Sequence, residues 1–147
     1  MDPPIAHAGL IAARSNGFWR GVLIEGPADA GKSDLALRAL AHGFRLVADD
    51  RVILWTSGGR LYGRAPDTLA GLIEVRGLDV LRLEAIPLCE VVLVAQAGIP
   101  ERMPDPAFSD ILGLRVPKLI LRLGDSSAPA KLGRALSHFD GEAKRRI

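Results

Sequence analysis

Residues 26–33 read Gly-Pro-Ala-Asp-Ala-Gly-Lys-Ser, and no other stretch constrains the fold of this chain so tightly. The octapeptide matches G-x-x-x-x-G-K-[ST] at every fixed position, a pattern that has physical meaning only as a turn between a strand and a helix. The flanks supply that setting. Gly21-Val22-Leu23-Ile24-Glu25 reads as a strand, and residues 32–41 place Leu35, Leu37, Ala39 and Leu40 at a helical spacing, with Gly43 to end the helix. Such a turn aims backbone N–H groups and the positive end of a helix dipole into one cradle, which suits phosphate groups. Gly26, Pro27, Ala28, Asp29, Ala30, Gly31, Lys32 and Ser33 are therefore the predicted nucleotide-binding segment. Within it Lys32 reaches the β- and γ-phosphates, and the Ser33 hydroxyl is placed to ligate Mg2+.

A phosphate cradle leaves the reaction open, because a metal carboxylate and a base must come from elsewhere. Asp49 and Asp50 follow the apolar run Leu46-Val47-Ala48, so they sit at the carboxyl end of a strand, where α/β folds place their ligand crevice. One carboxylate there can hold magnesium through water, and its neighbour can accept a proton from an attacking hydroxyl. The chain has no N-K-x-D base-recognition motif and no long arginine-rich lid insert, and its 147 residues are too few for a motor ATPase.

That length suits one domain, and an apolar content of 48%, a charged content of 24% and a mean hydropathy of +0.19 are those of a folded soluble protein. No apolar run approaches the roughly 20 residues that span a bilayer, and Met1-Asp2-Pro3-Pro4 has no basic leader. The one cysteine, Cys89, cannot pair within the chain, so a cytoplasmic location is expected. A net charge of +2 gives no field that implies a nucleic-acid partner, and no membrane partner is expected. Arginine outnumbers lysine 15 to 4, yet one of the few lysines is Lys32.

Residues 5–13 and 18–24, divided by Arg14-Ser15-Asn16-Gly17, predict a strand hairpin before the P-loop. Further strands are predicted at 46–48, 52–55, 60–63, 72–75, 89–95 and 118–123. Pro66-Asp67-Thr68 starts a helical turn, and a closing helix over 128–139 leads to a basic end at Lys144-Arg145-Arg146. No repeat, linker or domain boundary interrupts the pattern. The expected fold class is α/β (α+β), a single P-loop domain with a strand hairpin before the loop and a C-terminal helix.

Five segments together resemble the catalytic domain of the HPr kinase/phosphorylase family: Ile5-Ala6-His7-Ala8-Gly9, the P-loop, Gly43-Phe44-Arg45-Leu46-Val47-Ala48-Asp49-Asp50, Ile73-Glu74-Val75-Arg76-Gly77-Leu78 and Ile111-Leu112-Gly113-Leu114-Arg115-Val116-Pro117. The motifs keep the family's order over residues 5–123, and the chain is similar to the short proteobacterial type that consists of the catalytic domain alone, here residues 1–147. The resemblance implies a core related to phosphoenolpyruvate carboxykinase and an ATP- and Mg2+-dependent serine kinase. It also implies an HPr-like phosphocarrier protein of the phosphotransferase system as substrate, and a homo-oligomer, commonly a hexamer. It further implies that His7 assists catalysis, that Asp50 takes the serine proton, that Asp49 is the metal's outer carboxylate and that Glu74 is a second magnesium ligand. Arg102 is matched to the family's catalytic arginine, with Arg115 as the competing choice.

The chain departs from the family pattern at several positions. Ala28-Asp29 replaces Ser-Gly inside the P-loop, and a carboxylate at Asp29 costs nucleotide affinity unless the side chain points out. Asp adopts left-handed backbone more readily than most residues, so the turn itself is expected to survive. Asp79 stands for the second glycine of Arg-Gly-Leu-Gly, and Phe44 for a histidine. The loop that the family's dephosphorylation requires is not recognisable in residues 122–134, where only Lys131, Gly133 and Arg134 resemble it, so kinase activity is favoured over phosphorylase activity. A small-molecule P-loop kinase or ATPase, and a nucleotide-sensing module without catalysis, are the competing readings.

Overall fold

An Asn16-Gly17 turn with positive φ at both residues, 55° and 84°, folds strand β2 (Ala8–Ser15) onto β3 (Phe18–Glu25), the backbone conformation that matches the twist of paired strands. The structure is a computed structural model that describes residues 4–145. The expected hairpin is present, but the first strand is broken at His7. Ahead of the break, β1 (Ile5–Ala6) pairs with β5 (Val52–Ser57), whereas β2 lies between β3 and β4 (Arg45–Ala48).

The chain continues through β6 (Arg60–Arg64), β7 (Leu72–Val75), β8 (Asp79–Arg82), β9 (Cys89–Ala97), β10 (Ala107–Ile111) and β11 (Leu114–Leu121). Helix α1 (Lys32–Ala39) follows the glycine-rich loop, and α2 (Ala128–Arg145) closes the described chain, starting where expected and running past residue 139. Arg146 and the side chains of Lys144 and Arg145, part of the expected basic end, lie outside what is described. Nine strands form one sheet in the order β1-β5-β6-β9-β3-β2-β4, with β11 and then β10 also attached through β9. β9 is the shared strand. β3 and β11 run parallel to it, while β6 pairs antiparallel with Cys89 and Glu90 only. β7 and β8 form a separate hairpin.

The sheet has a core on each face. Ile11, Val22, Ile24, Leu93 and Ala95 pack under α1 and α2, and Leu10, Leu23, Val91, Val94 and Val52 pack on the other side. The register of β9 against β3 slips at Val92, which flips the side-chain parity, so Val91 and Val94 share a face. CEVVLVA reads as a continuous apolar run because both faces of β9 are covered by core. A second slip, at Val47, occurs where β4 meets β2, two residues before Asp49.

β8 and β10 were not legible as strands. Each pairs with one neighbour only, and neither Asp-Val-Leu-Arg nor Ala-Phe-Ser-Asp-Ile alternates apolar with polar residues, so pairing supplies what their short sequences do not signal. β11 begins four residues before the expected start, because Pro117 lies where the strand pairs only with β10 and needs no inward donor. α1 ends at Ala39 and passes through a 3-10 turn, Leu40–His42, to Gly43 at φ 87°.

The tightest backbone approach in the sheet is at Gly21, where an added Cβ would sit 2.6 Å from Cys89 Sγ and 2.7 Å from the Glu90 carbonyl. Gly21→Ala is expected to lower stability by about 1–3 kcal/mol, read from denaturant unfolding. Burial pushes the Cys89 thiol up to about 12, with Glu90 adding to the shift. Cys89 will therefore resist thiol reagents at neutral pH until the chain is unfolded.

Candidate functional site

The cleft is assembled at the carboxyl ends of the parallel strands β3 and β9. The loop leaves β3 at Glu25, and Gly26 passes so close to β9 that a Cβ there would lie 2.8 Å from that of Ala97. Ala30 N–H bonds the Pro27 carbonyl at 3.1 Å, Asp29 is left-handed at φ 66°, and Gly31 at φ 96° opens α1 with no side-chain cap. The first-turn N–H groups of α1 are thus left facing the cleft, the arrangement that binds anions. Lys32 folds back over the loop, its Nζ donating to the carbonyls of Gly26 at 2.5 Å and Pro27 at 3.3 Å.

α1 is held in place from behind. Arg38 donates to Asp34 at 2.8 Å, to the Asp125 carbonyl at 3.1 Å and to the Leu123 carbonyl, tying the helix to the segment after β11. From the front, Asp49 does the same. Its carboxylate is nearly buried, with one oxygen accepting Ser33 Oγ–H at 2.6 Å and the other the Glu74 backbone N–H at 3.1 Å. The register slip at Val47 sends Ala48 to the face away from α1, and Asp49 meets the P-loop serine.

Asp50 follows in strained backbone. Arg51 N–H bonds the Asp49 carbonyl at 2.7 Å around Asp50 at φ 67°, the closure of a γ-turn with positive φ, which is uncommon outside glycine. The Ala8 N–H holds the Asp50 carbonyl at 3.1 Å, and this bond ties the His7 segment to the turn. Asp50 lines the cleft, with Arg51 Nε 3.8 Å from its carboxylate.

β7 supplies the opposite wall. Ile73 is buried against the α1 core, and this packing carries Glu74, Val75 and Arg76 to the cleft, which has a volume of about 430 Å³. Arg76 donates to the Asp29 carboxylate from the turn after β7, and that bond and charge hold its guanidinium above its ordinary pKa. The Asp29 carboxylate, which lines the cleft, is thereby paired with a cation of the facing wall.

Lys32, Ser33, Asp50 and Glu74 share the cleft, Asp49 lies directly behind it, and His7 is exposed at the bend between β1 and β2, next to the Asp50 turn in the backbone. Arg102 is not brought there. It lies in the connection between β9 and β10 and lines a separate groove with residues of β11 and α2. Arg115 packs on Phe108 at 4.1 Å from the ring centroid. Sequence reading missed the Asp29–Arg76 pair and Leu37 as a wall residue, because neither a 47-residue separation nor a helix position announces a contact. Among the described residues no three His, Cys, Asp or Glu side chains converge as a closed metal site. The oxygens of Ser33, Asp49 and Glu74 still suit a hard cation that takes most of its ligands from phosphate and water.

Fold and cleft define an α/β protein that presents a glycine-rich loop and a helix N-terminus to a polar, carboxylate-lined cavity. The comparisons with known proteins give the family. Residues 11–92 match the family described as HPr Serine kinase C-terminal domain, and the chain belongs to it. It is 38% identical over 117 residues to an HPr kinase/phosphorylase of Leptothrix cholodnii, covering 69% of this chain and 36% of that protein. A second, of Brevibacillus brevis, is 47% identical over 64 residues, 43% of this chain and 21% of that one. The chain thus spans about a third or less of the length of these curated relatives. The solved Hpr(Ser) kinase/phosphatase of Coxiella burnetii superposes with a TM-score of 0.77 at 25% identity, covering 98% of this chain and 99% of that one.

Asp49→Ala leaves the Ser33 hydroxyl and the Glu74 N–H without their acceptor. Unfolding is expected to cost about 1–3 kcal/mol less than for the unaltered chain, whether or not nucleotide binds.

Proposed function

We propose that this chain is an ATP-dependent serine kinase whose substrate is a small HPr-like phosphocarrier protein. The observation that carries the proposal is the joint made by Ser33, Asp49 and Glu74 beside Asp50, which sets a strand-end acid pair against the P-loop as phosphoryl transfer requires. Relatives named HPr kinase/phosphorylase, and a structural neighbour titled Hpr(Ser) kinase/phosphatase, support it.

In this reading residues 1–147 act as one catalytic domain with a core of the phosphoenolpyruvate-carboxykinase kind. The amides of residues 26–33 and Lys32 hold the triphosphate, and Lys32 exchanges its loop carbonyls for phosphate oxygens. Ser33 and Glu74, with Asp49 behind them, hold Mg2+, which when bound neutralises charge on the phosphate oxygens. Asp50, fixed by its turn, accepts the proton of the substrate serine, and His7 assists from the segment bonded to that turn. Arg102 is the proposed arginine for the developing charge and Arg115 its competitor. Neither lines the cleft of its own chain, so a neighbouring copy in the proposed homo-oligomer, commonly a hexamer, is the source this reading requires. A cytoplasmic location fits such a substrate, and among the described residues no helix is long and apolar enough to cross a membrane.

The test is transfer of label from γ-labelled ATP with Mg2+ to a purified phosphocarrier protein. Asp50→Asn is expected to lower transfer by about a hundredfold or more while ATP still binds. Labelling of a small molecule with none on the protein, or ATP binding without turnover, would overturn the assignment.

A further inference from the structure

Acidic side chains outnumber basic ones in the lining of the cleft. Asp29, Asp34, Asp50 and Glu74 line it against two cations, Lys32 and Arg76. Both cations already have acceptors, but of different kinds. Those of Lys32 are neutral carbonyls of its own loop, while that of Arg76 is the Asp29 carboxylate, 47 residues away on the facing wall.

This pair contributes little to stability. Its side chains are 73% and 74% exposed, and ion pairs in that setting are screened by water and salt. Its position is more informative. Asp29 is at the crest of the phosphate loop, in a left-handed conformation that glycine adopts at no cost, and Arg76 reaches it from the turn beside Glu74. An anion entering between the two walls meets Arg76 already engaged. A terminal phosphate offers the guanidinium three oxygens and more charge than one carboxylate, so it can displace Asp29. On the reading above, the loop amides would hold the inner phosphates and Lys32 would reach the β- and γ-phosphates, and neither contact requires that exchange.

We propose that Asp29 and Arg76 form an exchangeable ion pair that makes this cleft selective for a nucleoside triphosphate over the diphosphate, with Arg76 as the ligand of the terminal phosphate and Asp29 as its counter-ion before nucleotide binds. The inference rests on the reading of the cleft as an ATP site. Asp29 is then a determinant particular to this loop: it competes with the terminal phosphate for Arg76 and so limits affinity for the triphosphate.

Calorimetric titration of the whole chain with Mg-ATP and Mg-ADP tests this in the unaltered protein, Asp29→Asn, Arg76→Gln and the double variant, with circular dichroism melts establishing that each is folded. Arg76→Gln is expected to weaken ATP about tenfold or more and ADP less than about threefold. Asp29→Asn is expected to tighten ATP several-fold when Arg76 is present, and by much less when residue 76 is Gln, the non-additivity of an interacting pair. If Arg76→Gln does not fold, Arg76→Lys takes its place and is expected to weaken ATP more than ADP. Equal losses for both nucleotides, no loss at all, or an equal gain from Asp29→Asn in both backgrounds would overturn the exchange. If the unaltered chain binds no ATP, the nucleotide reading itself fails. Binding of ATP that ignores residues 29 and 76 defeats only the exchange.

Discussion

The Asp49 carboxylate is the joint on which the cleft depends. It is nearly buried, and both of its oxygens are used, one by the Ser33 hydroxyl and one by the Glu74 backbone N–H. A buried carboxylate without such donors would be expensive, so Asp49 can occupy the end of β4 only if α1 and β7 come to it. The three elements that carry the phosphate loop, the acid pair and Glu74 are thereby fixed to one another. The slip at Val47 makes this possible by turning the end of β4 toward α1.

Part of the strained backbone borders that joint, the rest lying in the turns at Asn16 and Leu112. Asp29 and Asp50 both have positive φ, and both line the cleft. Each is held by contacts from outside its own turn, Asp50 by the Ala8 N–H and Asp29 by Arg76. Backbone held in sparsely populated conformations by several neighbours is pre-organised, and phosphoryl transfer gains most from positioning and fixed charge. The rest of the molecule supports this: a two-faced core under the sheet and the Arg38 tether behind α1.

Much of this was legible in the sequence because the signals are local. The P-loop requires a strand before it and a helix after it, Asn16-Gly17 requires a hairpin, and an acid pair after an apolar run requires a strand end. β8 and β10 were illegible because a short edge or hairpin strand without apolar alternation owes its existence to its partner. The match of Arg102 to a catalytic role came from the family resemblance alone, and within one chain the fold carries that residue to the groove beside α2 instead.

The sequence by itself determined the glycine-rich loop between strand and helix, the hairpin ahead of it, the mixed α/β character and the acids that follow β4, since backbone dihedral preferences and apolar periodicity act over a few residues. Only the tertiary structure decided that Asp29 pairs with Arg76 across the cleft, that Glu74 reaches the cleft through its backbone bond to Asp49, and that Arg102 does not reach it. Those outcomes depend on Ile73 packing under α1 and on where the connection from β9 to β10 lies. They join positions 25 and 47 residues apart, where sequence spacing carries no geometry and burial of the intervening core sets the contact.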